Sequence, residues 1–597
     1  MGKMNVADVG HYEKSSASLL SQQLAEPKER VDSVDMAWPE LRGHLESRLV
    51  SMRMWRTSWW QHWAKLAEYI LPRRYHWLVT PNVSNRGLQI NQSIIDATGT
   101  IAARTLASGM MSGLTSPARP WFKLRFVDAS LNDISEVQAY LDEIESRMYR
   151  IMAQSNFYDS LSTMYLDLSV FGTAPIVVYE DEDDVIRLYN PCAGEFFVGV
   201  SSSLRADTLY RQFTLNTTQI VDMFGVENVS AGVLGLWKDK GAGLETERVI
   251  AHAIEPNFPI NMKNGDQYEV VPKKFTYREI YWEYSADSRK PLSVRGFNEM
   301  PFVVPRWDIV SNDAYGRSPA MDALPDIMQL QVETRRKAEA IEKMVRPPLI
   351  ADISLKNEPS SILPGHITYV ADITNKQGMR PVFEVNPRIQ ELQQDIAEIQ
   401  KRIKTVMFND LFMMISNLDT VRSATEIDQR REEKMTQLGP VVERFENEAM
   451  NPLIERIFGI MKRKNLLPPM PPALQGKLLD IQYDSILSRS QKAGATASLE
   501  RLLGTVGNLV GVKPDVMDNL DIDEIVREYA QYLSVSPKCM TDTKVMAQMR
   551  QQRSQQQAQQ QQLQTGMALS QGAKNLSDVD VGGGVNALQA ALGNKPQ

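Results

Sequence analysis

The feature that most limits what this chain can become is a run of apolar residues in its second half. Ile389, Leu392, Ile396, Ile399, Ile403 and Val406 follow one another at steps of 3, 4, 3, 4 and 3, the heptad spacing of a helix with one narrow apolar seam. A helix buried inside a globule usually needs a third apolar position per heptad, so this one is expected to lie side by side with similar helices. At about three heptads it is short for a free-standing coiled coil. It has a counterpart upstream. Ser318 and Pro319 have the residue types of an N-cap and a first helical position, and helical residues run on to Arg346 before Pro347 and Pro348 stop them. Between the two helices, 38 residues (349 to 386) alternate the strand-like pieces LIADI, HITYVADI and RPVFEV with turn residues. The predicted arrangement is two long helices carrying a hairpin-based tip.

After Met414 the segment Ser416, Asn417, Leu418, Asp419, Thr420, Val421 and Arg422 breaks the helical pattern, and Ser423 with Glu426 forms a capping box for a further helix. That helix carries QRREEK, bends at Gly439 and Pro440, and runs to Lys464 before LLPPMPP. Ser485 to Leu533 reads as interrupted helix. The Gln-rich stretch Lys544 to Gln564 fits a helix of about 20 residues or polar disorder equally. Upstream, the first 35 or so residues read as an arm. Leu41 to Leu71 is a helix with Trp55, Trp59 and Trp63 on a core face, and residues 93 to 114 form a small-residue, buried helix. A strand at Phe122 to Phe126, a helix at Ile134 to Gln154 and a hairpin between Pro175 and Tyr189 follow; the acidic turn of that hairpin, Glu180 to Asp184, is expected to stay in water. Strand-like segments continue to Trp307.

Composition narrows the function. The 597 residues are 43% hydrophobic and 23% charged, enough for about three to five domain-sized units. Cys192 and Cys539 stand far apart, which suggests neither a disulfide framework nor a zinc site and fits assembly in a reducing compartment. The N-terminus has no secretory pattern, and no apolar run is long enough for a membrane span. A net charge of -7 argues against a protein that coats DNA by bulk attraction, so any DNA contact is expected to be weak or local. There is no phosphate-binding glycine loop, the six histidines are scattered, and Ser112 in GMMSG misses the nucleophile-elbow pattern. No catalytic residue, metal or cofactor is expected, although a nuclease built on acidic residues stays open as an alternative, as does an internal structural scaffold.

Three segments carry a family likeness: Asp96, Ala97 and Thr98 through GLTSPARPWFKL; MPFVVPRWDIVSNDAYGRSPAMDALPDI with the helix after it and RPPLIA; and SATEIDQRREEKMTQLGPVVERFENEAMNPLIERIFGIMKRKNLLPPMPP. In this order they resemble the head-to-tail connector (portal) proteins of short-tailed bacteriophages. The resemblance implies an α+β, mainly α fold of wing, stem, clip, crown and C-terminal barrel helix, assembled as a twelvefold ring around a channel for double-stranded DNA. After an arm (1–40) that reads as flexible and on which the resemblance is silent, it implies a wing with a β-rich module (41–314), a first stem helix (315–348) and a clip (349–386). A second stem helix (387–415), a channel loop (416–422), a wing return helix (423–470), a crown (471–540) and a barrel helix (541–565) follow; the tail (566–597) reads as flexible from its own residues, and the resemblance is silent on it. The implied partners are other copies of the chain, DNA, the terminase packaging motor, tail adaptor proteins, and the major capsid and scaffolding proteins. The implied place is the portal vertex of the virion, after assembly in the host cytoplasm. Ser416 to Arg422 would face DNA, since they lie between the seam helix and a fixed cap, the alternative being an ordinary connection between two helices. The seam would pack in the ring. Lys401, Arg402 and Lys404 would touch phosphates transiently, the alternative being a solvated face or salt bridges to a neighbour.

Overall fold

Helix α1 spans Val34–Tyr69, and its first half lies on a sheet. The structure, a computed structural model, describes residues 34–74, 92–132, 134–261, 267–284, 290–346, 349–351, 379–381, 388–411, 438–469, 479–483, 499–508, 520–532 and 543–577. After α1 come α2 (Thr98–Leu114), β1 (Phe122–Phe126), α3 (Ser135–Gln154), α4 (Phe157–Phe171), β2 (Ile176–Glu180), β3 (Ile186–Tyr189), β4 (Phe196–Val200) and β5 (Ala206–Asn216). Then follow α5 (Thr217–Phe224), α6 (Ala231–Asp239), β6 (Glu247–Pro256), β7 (Tyr277–Glu283), β8 (Ser293–Phe297) and β9 (Phe302–Val303). The long helix α7 (Pro319–Val345), β10 (Leu349–Ala351), β11 (Met379–Pro381), α8 (Ile389–Val406), α9 (Asn451–Arg463), β12 (Leu479–Tyr483), α10 (Ile522–Tyr532) and α11 (Thr543–Ser577) follow, with a few shorter elements between them. They make a predominantly helical α+β chain in two units, one drawn from Met1–Val127 and Tyr140–Gln491, the other from Asp128–Ala139 and Lys492–Gln597.

The main sheet is antiparallel in the order β8-β7-β6-β5-β4. Strand alternation gives it two faces. Trp38, Leu41, Leu45 and Leu49 of α1 cover Ala251, Ala253, Ile280 and Trp282 on one; Ile250, Tyr281 and residues of α5 and α6 pack on the other. Each face also carries buried charge. On the first, Arg278 donates to Glu255 (2.9 Å), which also accepts from Tyr210 (2.7 Å) and Arg48 (2.7 Å). On the second, Arg211 Nε donates to His252 Nδ1 (2.8 Å), so the imidazole Nε2 faces Glu279 (2.8 Å) as the donor. Burial and the Arg211 charge push His252 down to about 4, which keeps it neutral.

Several expectations are corrected. The arm does not extend to residue 40, because α1 begins at Val34 and Trp38 is buried. Trp63 is buried and Trp59 packs against it and Tyr315, but Trp55 is 76% exposed. Residues four apart drift by about 40° on a helix, so two such steps carry Trp55 off the core face. Helix α4 was not foreseen: it is buried nearly all round, with Asp167 held by Arg74 at 3.3 Å, and shows no amphipathic period. The acidic turn is not wholly in water, since Asp181 is buried and accepts from the backbone N–H groups of Asp183 (2.9 Å) and Asp184 (2.8 Å), while Glu180 takes Arg463 of α9. The expected crown boundary shifts too, because β12 pairs with β1 from Phe122↔Tyr483 to Phe126↔Leu479 and so belongs to the first unit. In the second unit α11 continues past residue 565 to Ser577, with residues 548–571 exposed. At 35 residues it is about 52 Å long.

The hairpin of helices is present. Ser318 caps α7 by accepting from Met321 N–H (3.2 Å), with Pro319 in the first turn, as its residue types predict. At its far end β10 pairs antiparallel with β11, Leu349 opposite Pro381; the rest of the expected clip, 352–378 and 382–386, lies outside the described residues. Helix α8 ends at Val406 rather than 415, and Phe408 takes a left-handed backbone (φ 55). The wing return helix is described from 438, with a π turn at Glu446–Met450 just before Pro452.

The seam calls for the largest correction. Ile396, Ile399 and Ile403 need no second copy to cover them: they are buried within the chain, where α8 packs against α7 and α2. The small residues of α2 allow this approach. A Cβ on Gly99 would stand 3.0 Å from Ile327 of α7.

Two outcomes follow. Ile399→Asp places a carboxylate at a fully buried position and should lower the chain's own stability by about 4 kcal/mol or more; urea unfolding of the variant before assembly reads this, and an unchanged midpoint would refute the packing. Burial opposes ionisation of Glu255, but Arg278 and Arg48 outweigh it and hold its pKa below the ordinary value. A lowered folded-state pKa gives stability that is present above the unfolded value near 4.5 and is lost as pH falls through the folded one. Glu255→Gln should therefore cost about 3 kcal/mol at neutral pH, and the gap to the parent should close in acid; a pH-independent gap would contradict the ion pair.

Candidate functional site at the base of the helical hairpin

The direction of α7 is set by backbone contact. Gly172 ends α4 in the left-handed region (φ 71), its N–H returning to Leu168 O at 3.0 Å. Gly316 passes directly against it, and neither position has room for a Cβ. Around this crossing Trp307 N–H donates to Gly172 O (2.9 Å), Gly316 N–H to Thr173 Oγ1 (2.8 Å), and Ser318 Oγ to Val170 O (2.7 Å). The residue that caps α7 thus also binds the last turn of α4.

About three and a half turns further along α7, a second fastening ties both hairpin helices to the start of α2. Gln331 Oε1 of α7 accepts from Ile95 N–H (2.7 Å) and Asp96 N–H (2.8 Å), and its Nε2 donates to Asp96 O (2.9 Å). Gln400 Nε2 of α8 donates to Asp96 Oδ2 (2.8 Å), and Asp96 Oδ1 accepts from Thr98 N–H (2.8 Å). Beyond this knot the hairpin has no third helix among the described residues. All residues of α7 past Gln331 are exposed or half-buried, Val345 being 73% exposed, and Ile389 and Leu392 of α8 are half-buried.

The predicted site residues are therefore divided. Ile396, Ile399 and Ile403 belong to the chain's own packing, while Ile389, Leu392 and Val406 are partly open. Arg402 is engaged within the chain by Asp326 of α7 at 3.0 Å, and that hydrogen-bonded carboxylate raises its pKa. Lys401 and Lys404 are exposed. Ser416, Asn417, Leu418, Asp419, Thr420, Val421 and Arg422 lie outside the described residues. Sequence reasoning did not single out Gln331 or Gln400. Their one signal is a polar residue on the inner side of an otherwise apolar helix face, and it does not tell which backbone the amide will meet. Among the described residues no group of three or more His, Cys, Asp or Glu is placed to hold a metal ion, and no helix is long and apolar enough to cross a membrane.

The three segments that carry the likeness meet in this frame. In the first, Trp121 and Phe122 donate their N–H groups to Tyr149 Oη (2.9 and 2.8 Å), and the Trp121 ring stacks on Tyr483. Arg306 of the second is buried and forks onto Glu448 of the third (3.1 and 2.5 Å). A family profile described as bacteriophage head to tail connecting protein matches residues 42–540. The chain is 39% identical over 536 residues to the portal protein of Salmonella phage epsilon15, which covers 89% of this chain and 95% of that protein. It is 39% identical over 520 residues to a probable portal protein of Bordetella phage BPP-1, covering 87% and 92%. A solved chain titled as the neck of an empty GTA particle computed with C6 symmetry aligns over 69% of this chain and 86% of its own, at 9% identity and a TM-score of 0.31; that likeness is too low to add to the case. The match over nearly the whole length, through segments that pack on one another, means that the chain belongs to the bacteriophage head-to-tail connecting proteins.

Proposed function

We propose that this chain is a phage portal subunit, a structural part and not an enzyme, twelve copies of which close into a ring through which double-stranded DNA enters and leaves the head. The observation that carries the reading is the match over residues 42–540 together with two relatives named as portal or probable portal proteins. A ring uses one surface against a different surface of the neighbour. The free upper half of the hairpin, where Ile341, Met344 and Val345 are exposed beside the half-buried Ile389 and Leu392, is the stretch still needing cover and so serves as the stem contact. Lys401 and Lys404, exposed and few, fit a channel that touches phosphates transiently; a sliding polymer is not held by the roughly 6 to 10 fixed contacts of a static complex. Arg402, tied to Asp326, is the least suited of the three.

In this reading the segment 349–386 is the clip that docks the terminase motor during filling and the tail adaptors afterwards. Residues 416–422 form the channel loop, and capsid and scaffolding proteins surround the wing at the portal vertex. Closed rings with a central hole, seen by negative stain of the purified protein, are the expected state; elongated oligomers without a hole would sink the proposal. Deleting Leu418 to Val421 should leave ring assembly intact and impair filling or retention of the genome. Normal packaging and retention by that deletion would remove the loop's role. Cross-linkers placed at residues 352–378 in mature particles should reach tail proteins, and contacts to capsid protein alone would overturn the clip assignment.

A further inference from the structure

Past Leu49, α1 runs on along β4 and β5, and an open cavity of about 500 Å³ lies against it there. Its walls include the rings of Trp60, Phe197, Phe213 and Tyr284. Two guanidinium groups enter from α1. Arg56 is buried, donates to Phe196 O and Gly194 O, and stands 3.7 Å over the Phe197 ring and 4.7 Å over that of Trp60. Arg53 donates to Gln212 Oε1 (2.6 Å) and lies over Tyr284 at 5.6 Å. Among the described residues neither has a carboxylate within ion-pair distance, and burial together with the nearby Arg53 charge pushes Arg56 down to about 10. Two side chains lining the same cavity have buried polar atoms without a hydrogen-bond partner, Gln212 Nε2 and Thr214 Oγ1. Val249 of β6, which lines it, is exposed, and Val50 and Met54 on α1, the latter 71% exposed, are exposed apolar residues close in sequence to Arg53.

An apolar hollow edged by two guanidinium groups that have no carboxylate partner among the described residues is half of a contact. We propose that this cavity is a docking site for a segment of a partner protein in which a carboxylate stands next to an aromatic or aliphatic side chain. Arg53 uses only part of its donor set on Gln212, so its remaining N–H groups take the carboxylate. The segment's apolar side chain lies among the aromatic rings. A single-stranded nucleic acid also pairs an anion with an aromatic ring, so saturable binding of oligo(dT) tighter than that of the Asp peptide below would overturn the proposal. The inference stands apart from the ring and the channel, which use the hairpin.

The probes are the blocked tripeptides acetyl-Phe-Asp-Phe-amide and acetyl-Phe-Asn-Phe-amide, titrated into the full chain by calorimetry. The Asp peptide should bind saturably and about tenfold or more tighter than its Asn counterpart, as a charge-assisted hydrogen bond implies. Arg53→Glu, at an exposed helix position, should lose that preference and favour acetyl-Phe-Lys-Phe-amide, with an unchanged thermal midpoint showing that the fold is intact. Equal affinity for the Asp and Asn peptides, absence of saturable binding at millimolar peptide, or binding unmoved by Arg53→Glu would each overturn the proposal. Free phenylpropionate binding as tightly as the peptide would overturn it as well, by making the cavity a small-acid pocket.

Discussion

The first unit is organised around one place where two backbones touch. Gly172 and Gly316 leave no space between them for a methyl group, and the hydrogen bonds of Thr173, Val170 and Trp307 close around the crossing. Because α4 is the most deeply buried helix of the described chain, whatever is fixed to its end inherits its rigidity. What is fixed there is the first residue of the hairpin. A side chain at either glycine would push α7 off α4 and shift every contact that α7 makes with α1, α2 and α8.

Buried charge plays the complementary part in the sheet module. Arg278 with Glu255, Arg211 with His252 and Glu279, and Arg306 with Glu448 all lie where water cannot screen them. Such pairs add little net stability over apolar packing of the same shape, because desolvation offsets their attraction. They do penalise wrong registers, since a one-residue slip of β6 against β7 would turn His252 and Glu279 to opposite faces. The sheet is thereby committed to one pairing, and the two helical layers on its faces to one position each.

Much of this was legible in the sequence where the signal is local. The cap at Ser318, the end of α7 at Val345, the strand at Phe122 and the helical run of α8 rest on spacing and residue type within a few positions, and each is present in the described residues. The seam also shows where local reading ends: it gave the packing face but not its occupant, because nothing in Ile396, Ile399 or Ile403 tells α2 of the same chain from a helix of another. Helix α4 was missed because apolar residues on all sides leave no period to find. The pairing of β1 with β12 spans more than 350 positions and has no local sign. Of the candidate site, the helices were readable; the amides of Gln331 and Gln400, whose role depends on where Asp96 arrives, were not.

The knot at Gln331, Gln400 and Asp96 also sets an angular tolerance. From Gln331 to Arg346 the hairpin projects about 22 Å past its last fastening, so a tilt of about 5° there displaces its far end by about 2 Å, more than half a hydrogen-bond length. The pivot is made chiefly of neutral amides and backbone groups, whose hydrogen bonds respond weakly to ionic strength compared with exposed ion pairs. The hairpin is a lever whose fulcrum is insulated from salt, while the charges along its shaft are not.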